Sequence, residues 1–358
     1  MAKGVDFGTA ILVCARKNDE GKTISNSERN CFIAIDQEAA EALDLSNYNY
    51  IKETENKQEM VYIVGKDALK LSNLFAQNDT HGERKTSLRR PMSKMVINSR
   101  TDRKAVSMLK YMIQGLVGAP AYEDEVCVLS IPANPLSGDF NNIFHSNMCQ
   151  SFIKELGYKN VYPINEALSV IYSTAPSTKG DDGEDLPMTG IGISWGGGGV
   201  NGCLSYKGAE TISFSVAQGG DWIDEQVSTV CDKTSSEVTV YKERTSREGL
   251  LDLSNPLSDD DIINGLYIYY KFLIETVVKQ FKAEFIKHGT QFTDPIEVVV
   301  SGGTSKPEGF EKLVEQVIEE VGWPFDISGV RRAKDPLTAT AIGCLNAAIS
   351  KEKKKNEK

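Results

Sequence analysis

An α/β protein built in two halves is what the sequence predicts, on three observations. Residues 4–18 and 191–208 each read as two short strands joined at a glycine-bearing turn, so one plan opens twice in the chain. Apolar strand-like runs at 126–133 and 297–300 alternate with segments whose apolar residues recur at helical spacing. At 358 residues the chain is large for a single layered core and typical of two domains that share a cleft.

Taken in order, the opening hairpin holds an Asp-Phe-Gly-Thr junction between apolar, β-branched runs. A charged stretch over 47–90 carries one strand-helix unit at 61–75 and then a polar run, 77–90, that reads as a loop. Val106, Leu109, Ile113 and Leu116 mark a helix, the strand 126–133 follows, and another helix covers about 142–156. At 160–173 an extended segment turns into a helix near Asn165. The acidic, glycine-rich stretch 178–187 is a loop before the second hairpin. The second half then reads helix, long helix, strand, glycine turn and helix, with Phe310, Leu313, Val314, Val317, Ile318 and Val321 forming an apolar stripe. An alanine-rich helix spans 336–351, and the lysine-rich tail 351–358 is expected to fray into solvent.

Composition narrows the function. Hydrophobic residues make up 40% and charged residues 25%, as in an ordinary globular protein, and the net charge of −10 argues against a nucleic-acid coat. The 7 cysteines are scattered with no C-x-x-C pair, and the 3 histidines lie far apart, so neither a disulfide framework nor a zinc site is suggested. A reducing cytoplasm is the expected compartment, with neither signal peptide nor membrane span.

Three turns carry candidate chemistry. In the first, Asp6, Gly8 and Thr9 place a carboxylate beside backbone N–H groups that can approach a phosphate, although a plain β-turn fits the same residues. In the second, Gly196, Gly197, Gly198 and Gly199 stand in a row between strand formers, at a conformational cost of roughly 0.5–1 kcal/mol each relative to Ala, which favours close backbone approach over a merely flexible turn. In the third, Gly302, Gly303 and Thr304 follow a buried strand, where a ribose or flat ring could lie against the backbone. A simple strand-to-helix turn is the competing reading.

The order of these segments resembles the actin, sugar kinase and heat-shock chaperone ATPase superfamily, and within it the bacterial actins of the MreB and MamK type. The family's phosphate-1 segment matches 6–10, the first connecting helix 163–167, phosphate-2 193–201, the adenosine segment 302–304 and the second connecting helix 335–343. Two further matches, 89–113 and the GGDWID stretch from Gly219, resemble MreB segments. The resemblance implies an actin-like fold: two RNase H-like α/β domains flanking a nucleotide cleft. Domain I would be residues 1–164 joined by the C-terminal helix 336–358, and domain II residues 165–335. It implies ATP or ADP with Mg²⁺ in the cleft. Asp6 would hold the ion through water, Gly8, Thr9 and Ala10 would meet the phosphates together with Gly196 to Gly199, and Glu166 would orient the attacking water. Gly220, Lys242 and Glu243, with Gly302, Gly303 and Thr304, would face the nucleoside.

One departure stands out. Phosphate-2 of this superfamily normally begins with Asp, whereas this chain has Ser194 there and Asn201 at the later acidic position. Losing a carboxylate beside Mg²⁺ weakens electrostatic support for phosphoryl transfer, so slow hydrolysis is expected, and Ser194→Asp is expected to raise phosphate release. The implied function is a cytoskeletal ATPase that stacks head to tail into filaments, with an adaptor or cargo of unknown kind and with neither nucleic acid nor membrane as a direct partner. The alternative is a non-polymerising, chaperone-type or catalytically weakened partner-binding protein.

Overall fold

The computed structural model describes residues 2–55, 58–78, 88–97, 103–135, 138, 141–174, 178–179, 185–186, 188–255 and 258–356. The first hairpin is present as β1 (Lys3–Phe7) and β2 (Ile11–Lys17), and β3 (Thr23–Arg29) extends it antiparallel. No apolar alternation marks β3, whose residues TISNSER are largely exposed; its ladder to β2 holds it. Next, β4 (Phe32–Asp36), α1 (Gln37–Glu41), β5 (Tyr50–Glu55) and β6 (Gln58–Val64) build a small sheet of order β4-β6-β5. Asp36 caps α1 by accepting from the Ala39 N–H at 2.8 Å.

The expected strand-helix unit is β6 followed by α2 (Lys66–Asn78), and Ile33, Ile35, Val61, Ile63 and Leu71 share one core. Most of the expected loop after it, residues 79–87, lies outside the described residues. A two-residue hairpin, β7 (Met92–Ser93) with β8 (Val96–Ile97), leads to α3 (Arg103–Val117). The buried Met108, Leu109, Met112 and Ile113 of α3 pack with Val5, Leu12 and Leu129. β9 (Val126–Ile131) is buried along its length and runs parallel to both β1 and β10 (Asn160–Asn165). Between them α4 (Asn142–Glu155) is capped by Asn141, and after β10 comes α5 (Glu166–Ser173), where Asn165 Oδ1 accepts from the Ala167 and Leu168 N–H groups.

The stretch 178–187 read as a loop also holds a small ladder, β11 (Thr178–Lys179) with β12 (Asp185–Leu186). The second hairpin is β13 (Gly190–Trp195) and β14 (Val200–Tyr206), joined by β15 (Ala209–Val216). Then come α6 (Gly220–Val230), α7 (Ser235–Arg247), α8 (Asp261–His288), β16 (Ile296–Ser301), a 3-10 turn (Gly303–Ser305), α9 (Phe310–Val321) and β17 (Ile327–Arg332). β17 escapes a sequence reading because Gly329 and two arginines interrupt its apolar pattern.

The two large sheets share one topology. The first has order β10-β9-β1-β2-β3 and the second β15-β14-β13-β16-β17. Read from opposite ends these coincide: three antiparallel strands, then two parallel ones. Trp195, Phe214, Phe281, Phe285 and Phe310 anchor the core of the second sheet.

The last helix, α10 (Ala339–Asn356), returns to the first sheet, where Ala341, Cys344, Leu345 and Ala348 pack on Val13, Ala15, Val126 and Val128. It crosses α5 so closely that a Cβ on Gly343 would stand 1.7 Å from the Ser169 carbonyl oxygen. The expectation of a frayed tail is corrected here. Helix continues to Asn356 because Glu352 accepts from the Val126 N–H (3.0 Å) and the Tyr122 hydroxyl (2.6 Å), while Lys355 pairs with Asp124 (2.6 Å). All 7 cysteines are free thiols.

Candidate functional site

The turn after β1 and the turn after β13 face one another. Gly8 is required where it sits, because a Cβ would meet the Ile11 carbonyl oxygen at 2.2 Å. Across from it, a Cβ on Gly198 would stand 2.5 Å from Thr9 Oγ1, and one on Gly197 3.3 Å from the Ala10 Cβ. The β13–β14 turn closes on itself through Gly196 N–H to Gly199 O (2.9 Å), and it receives the first N–H groups of α6, Gly220 to Gly196 O and Asp221 to Gly197 O. From a third side Thr304 Oγ1 donates to Gly196 O (3.0 Å). Gly302 has φ +92° and lies against the Trp195 backbone, where a side chain would clash at 2.2 Å.

These turns enclose a cavity of about 500 Å³, and every candidate residue read from the sequence lines it: Asp6, Gly8, Thr9, Ala10, Glu166, Gly196 to Gly199, Gly220, Lys242, Glu243, Gly302, Gly303 and Thr304. Lys242, on α7, donates to Gly220 O (3.1 Å) and pairs with the buried Asp224 (2.7 Å). Burial pushes the Asp224 carboxyl up, and Lys242 works against that.

Two carboxyls stand at the inner end. Asp6 accepts from Ser130 Oγ at 2.7 Å. Glu166 is held at both oxygens, Oε1 by the Ser194 hydroxyl (2.7 Å) and Oε2 by the Asn201 amide (2.9 Å). Both residues that depart from the family pattern therefore serve the same side chain. Burial pushes the Glu166 carboxyl up to about 8, with Asp6 adding to the effect and Ser194 opposing it. Burial likewise raises Asp6 to about 6, against the Ser130 hydrogen bond. The partners of both are neutral, so a divalent cation beside them would favour their ionised forms and fits this donor set. Among the described residues no cluster of three or more His, Cys, Asp or Glu side chains could hold a metal alone. An ion here would draw its remaining ligands from water or phosphate.

Sequence reasoning missed the rim. Arg29, at the end of β3, pairs with Glu243 on α7 (3.3 Å), and Arg90 pairs with Asp221 on α6 (2.5 Å). Asp221 lies in the GGDWID stretch and Arg90 in the 89–113 stretch singled out from the sequence, though without a role for either, and nothing local marked Arg29 or Ser130. Among the described residues no helix is long and apolar enough to cross a membrane.

Two sheets of one topology meeting over a glycine-lined cavity give the chain an actin-like fold. The chain resembles the solved MamK double helical filament, with a TM-score of 0.68 at 16% identity over 97% of this chain and 98% of that one. It also resembles MreB 5 of Spiroplasma citri bound to AMPPNP (0.61, 15%, 99% and 97%) and the ethanolamine utilization protein EutJ from Carboxydothermus hydrogenoformans (0.53, 16%, 96% and 89%). No curated protein matches its sequence. A family model described as Volactin matches residues 1–348, and the chain belongs to the Volactin family.

Proposed function

We propose that this protein is an actin-like cytoskeletal ATPase of the cytoplasm that binds Mg-ATP between two domains, hydrolyses it slowly and assembles head to tail with copies of itself. The observation that carries the reading is the facing pair of turns, in contact through glycines, beneath the half-buried carboxyls Asp6 and Glu166 that line the same cavity. Further support comes from the neighbours: MreB 5 binds AMPPNP and MamK forms a double helical filament. We place domain I at 1–164 with 336–358 and domain II at 165–335, since α10 shares its core with β2 and β9.

In this reading N–H groups of the two turns hold the phosphates, and Thr9 stands between them. Lys242, Gly302, Gly303 and Thr304 bracket the nucleoside. Asp6 would hold magnesium through water. Magnesium, when bound, supplies positive charge that offsets the transferring group and favours the ionised carboxyls. Glu166 aligns a water for in-line attack: a new bond forms between its oxygen and the γ-phosphorus, and the bond from that phosphorus to the β–γ bridging oxygen breaks. ADP leaves with that electron pair, and the water's proton passes to the carboxylate and then to phosphate or solvent. Ser194 in place of Asp leaves less negative charge around the ion, which underlies the slow rate.

The test is right-angle light scattering on adding Mg-ATP, with a negative-stain image of the same sample and binding of a fluorescent ATP analogue measured beside it. Filaments with a nucleotide-dependent rise are expected. A flat trace with nucleotide bound would replace self-assembly with the partner-binding alternative, and no binding would remove the nucleotide reading itself.

A further inference from the structure

Asn201 lies on β14, wholly buried, behind Glu166 and outside the lining of the cavity. Its amide ties β14 to three other parts of the fold, one of them the β7–β8 turn, where Met95 Sδ accepts from Nδ2 (3.3 Å). Nδ2 donates to Glu166 Oε2 at the start of α5 (2.9 Å), and Oδ1 accepts from the Ala133 N–H in the segment leaving β9 (3.0 Å). The Ala133 carbonyl accepts in turn from Ser215 Oγ on β15 (2.8 Å), and the Ser215 N–H donates to Asn134 O (3.3 Å). So the exit of a first-sheet strand is tied to two second-sheet strands, and the tie runs through the amide that holds the carboxylate. A buried amide stabilises little beyond an apolar residue even when fully paired, so its placement calls for another reason.

We propose that Asn201 is a positioning residue for ATP hydrolysis: it aims the Glu166 carboxylate and makes that aim depend on how the β9 exit is seated against β14 and β15. The inference rests on the reading of the cavity as an ATP site. A carboxylate fixed at both oxygens presents its remaining lone pairs in set directions, which is what taking a proton from an in-line water requires. If the two sheets shift relative to each other, the Ala133 bond and the Glu166 bond cannot both persist. Hydrolysis is thereby confined to the seated arrangement, and Asn201 acts from behind the cavity lining, through Glu166.

The experiment is a mutant cycle on the full chain, reading ATP turnover and affinity for a fluorescent ATP analogue. Asn201→Ala is expected to lower kcat about 10–100-fold with KM and affinity unchanged within about twofold. In a Glu166→Gln background the same substitution is expected to cost nothing further, because its route to the reaction is gone. An equal loss in both backgrounds, or a change in KM alone, overturns the positioning role. Should Asn201→Ala not fold, Ser215→Ala carries the same test from outside the cavity: a several-fold loss of kcat that vanishes with Glu166→Gln supports the inference, and an unchanged kcat overturns it. A native chain that binds no nucleotide defeats the cavity reading, whereas one that binds and turns over ATP alongside indifferent variants defeats this inference alone.

Discussion

Glu166 binds its proton more tightly in the folded chain than in the unfolded one, since burial lifts it to about 8 from an ordinary carboxyl value. The stability this gives is fully present below the unfolded value and is lost as pH rises through 8, with Asp6 acting alike over a lower window that ends near 6. The melting temperature of the unliganded protein should therefore fall between roughly pH 5 and pH 8.5, and Glu166→Gln should flatten that slope; an unchanged slope would place the charge elsewhere. Ser194→Asp replaces a donor to Glu166 with a third carboxylate. It is expected to lower the melting temperature without ligand, widen the stabilisation by Mg-ATP and raise phosphate release by about tenfold. Phosphate release no faster than that of the native chain would sink the account of the departure. Asp6, Thr9 and the glycines were legible because their motifs are local. The pairings of the carboxyls were not, although Ser194 and Asn201 had stood out as departures: Ser130 lies 124 residues from Asp6 and Asn201 lies 35 from Glu166, distances that only the fold closes.

Among the elements, the hairpins and the buried β9 and β16 were readable because burial writes an apolar pattern into a strand. β3 and β17 have little such pattern, being held by ladders to more regular neighbours. They matter to the cavity all the same, since β3 delivers Arg29 to its rim. The Arg29–Glu243 and Arg90–Asp221 pairs join the β3 and β7 flank to α6 and α7 across that rim. Partly exposed pairs of this kind are screened by salt, the Arg29–Glu243 pair more than the half-buried Arg90–Asp221 pair. Release of a bound fluorescent nucleotide is expected to quicken as ionic strength rises, and Glu243→Gln should quicken it at low salt and blunt the salt dependence. A salt-independent rate in the native chain would show that the rim does not gate release. The crossing of α5 and α10 is stricter. Gly343→Ala puts a methyl where a carbonyl oxygen already stands, and should cost about 3 kcal/mol despite the better helix propensity of Ala, as read by urea unfolding.

Across the whole molecule, one fold plan used twice was legible from two glycine hairpins, while the small sheet β4-β6-β5 was hidden in charged sequence. The end of α10 shows the same limit, because lysine-rich composition reads as solvated tail whereas Glu352 binds the first N–H of β9. Glu352→Ala should cost about 1–2 kcal/mol by leaving that N–H without its acceptor, measured as a lower unfolding midpoint. The path of α10 also bears on how the protein is made. All strands of the second sheet fall within one stretch, Gly190–Trp195 through Ile327–Arg332, whereas the face formed by Val13, Ala15, Val126 and Val128 stays uncovered until the final helix arrives. On the ribosome the part translated later can complete its core first, and the part translated first must wait, its apolar face open, until the helix from Ala339 has emerged.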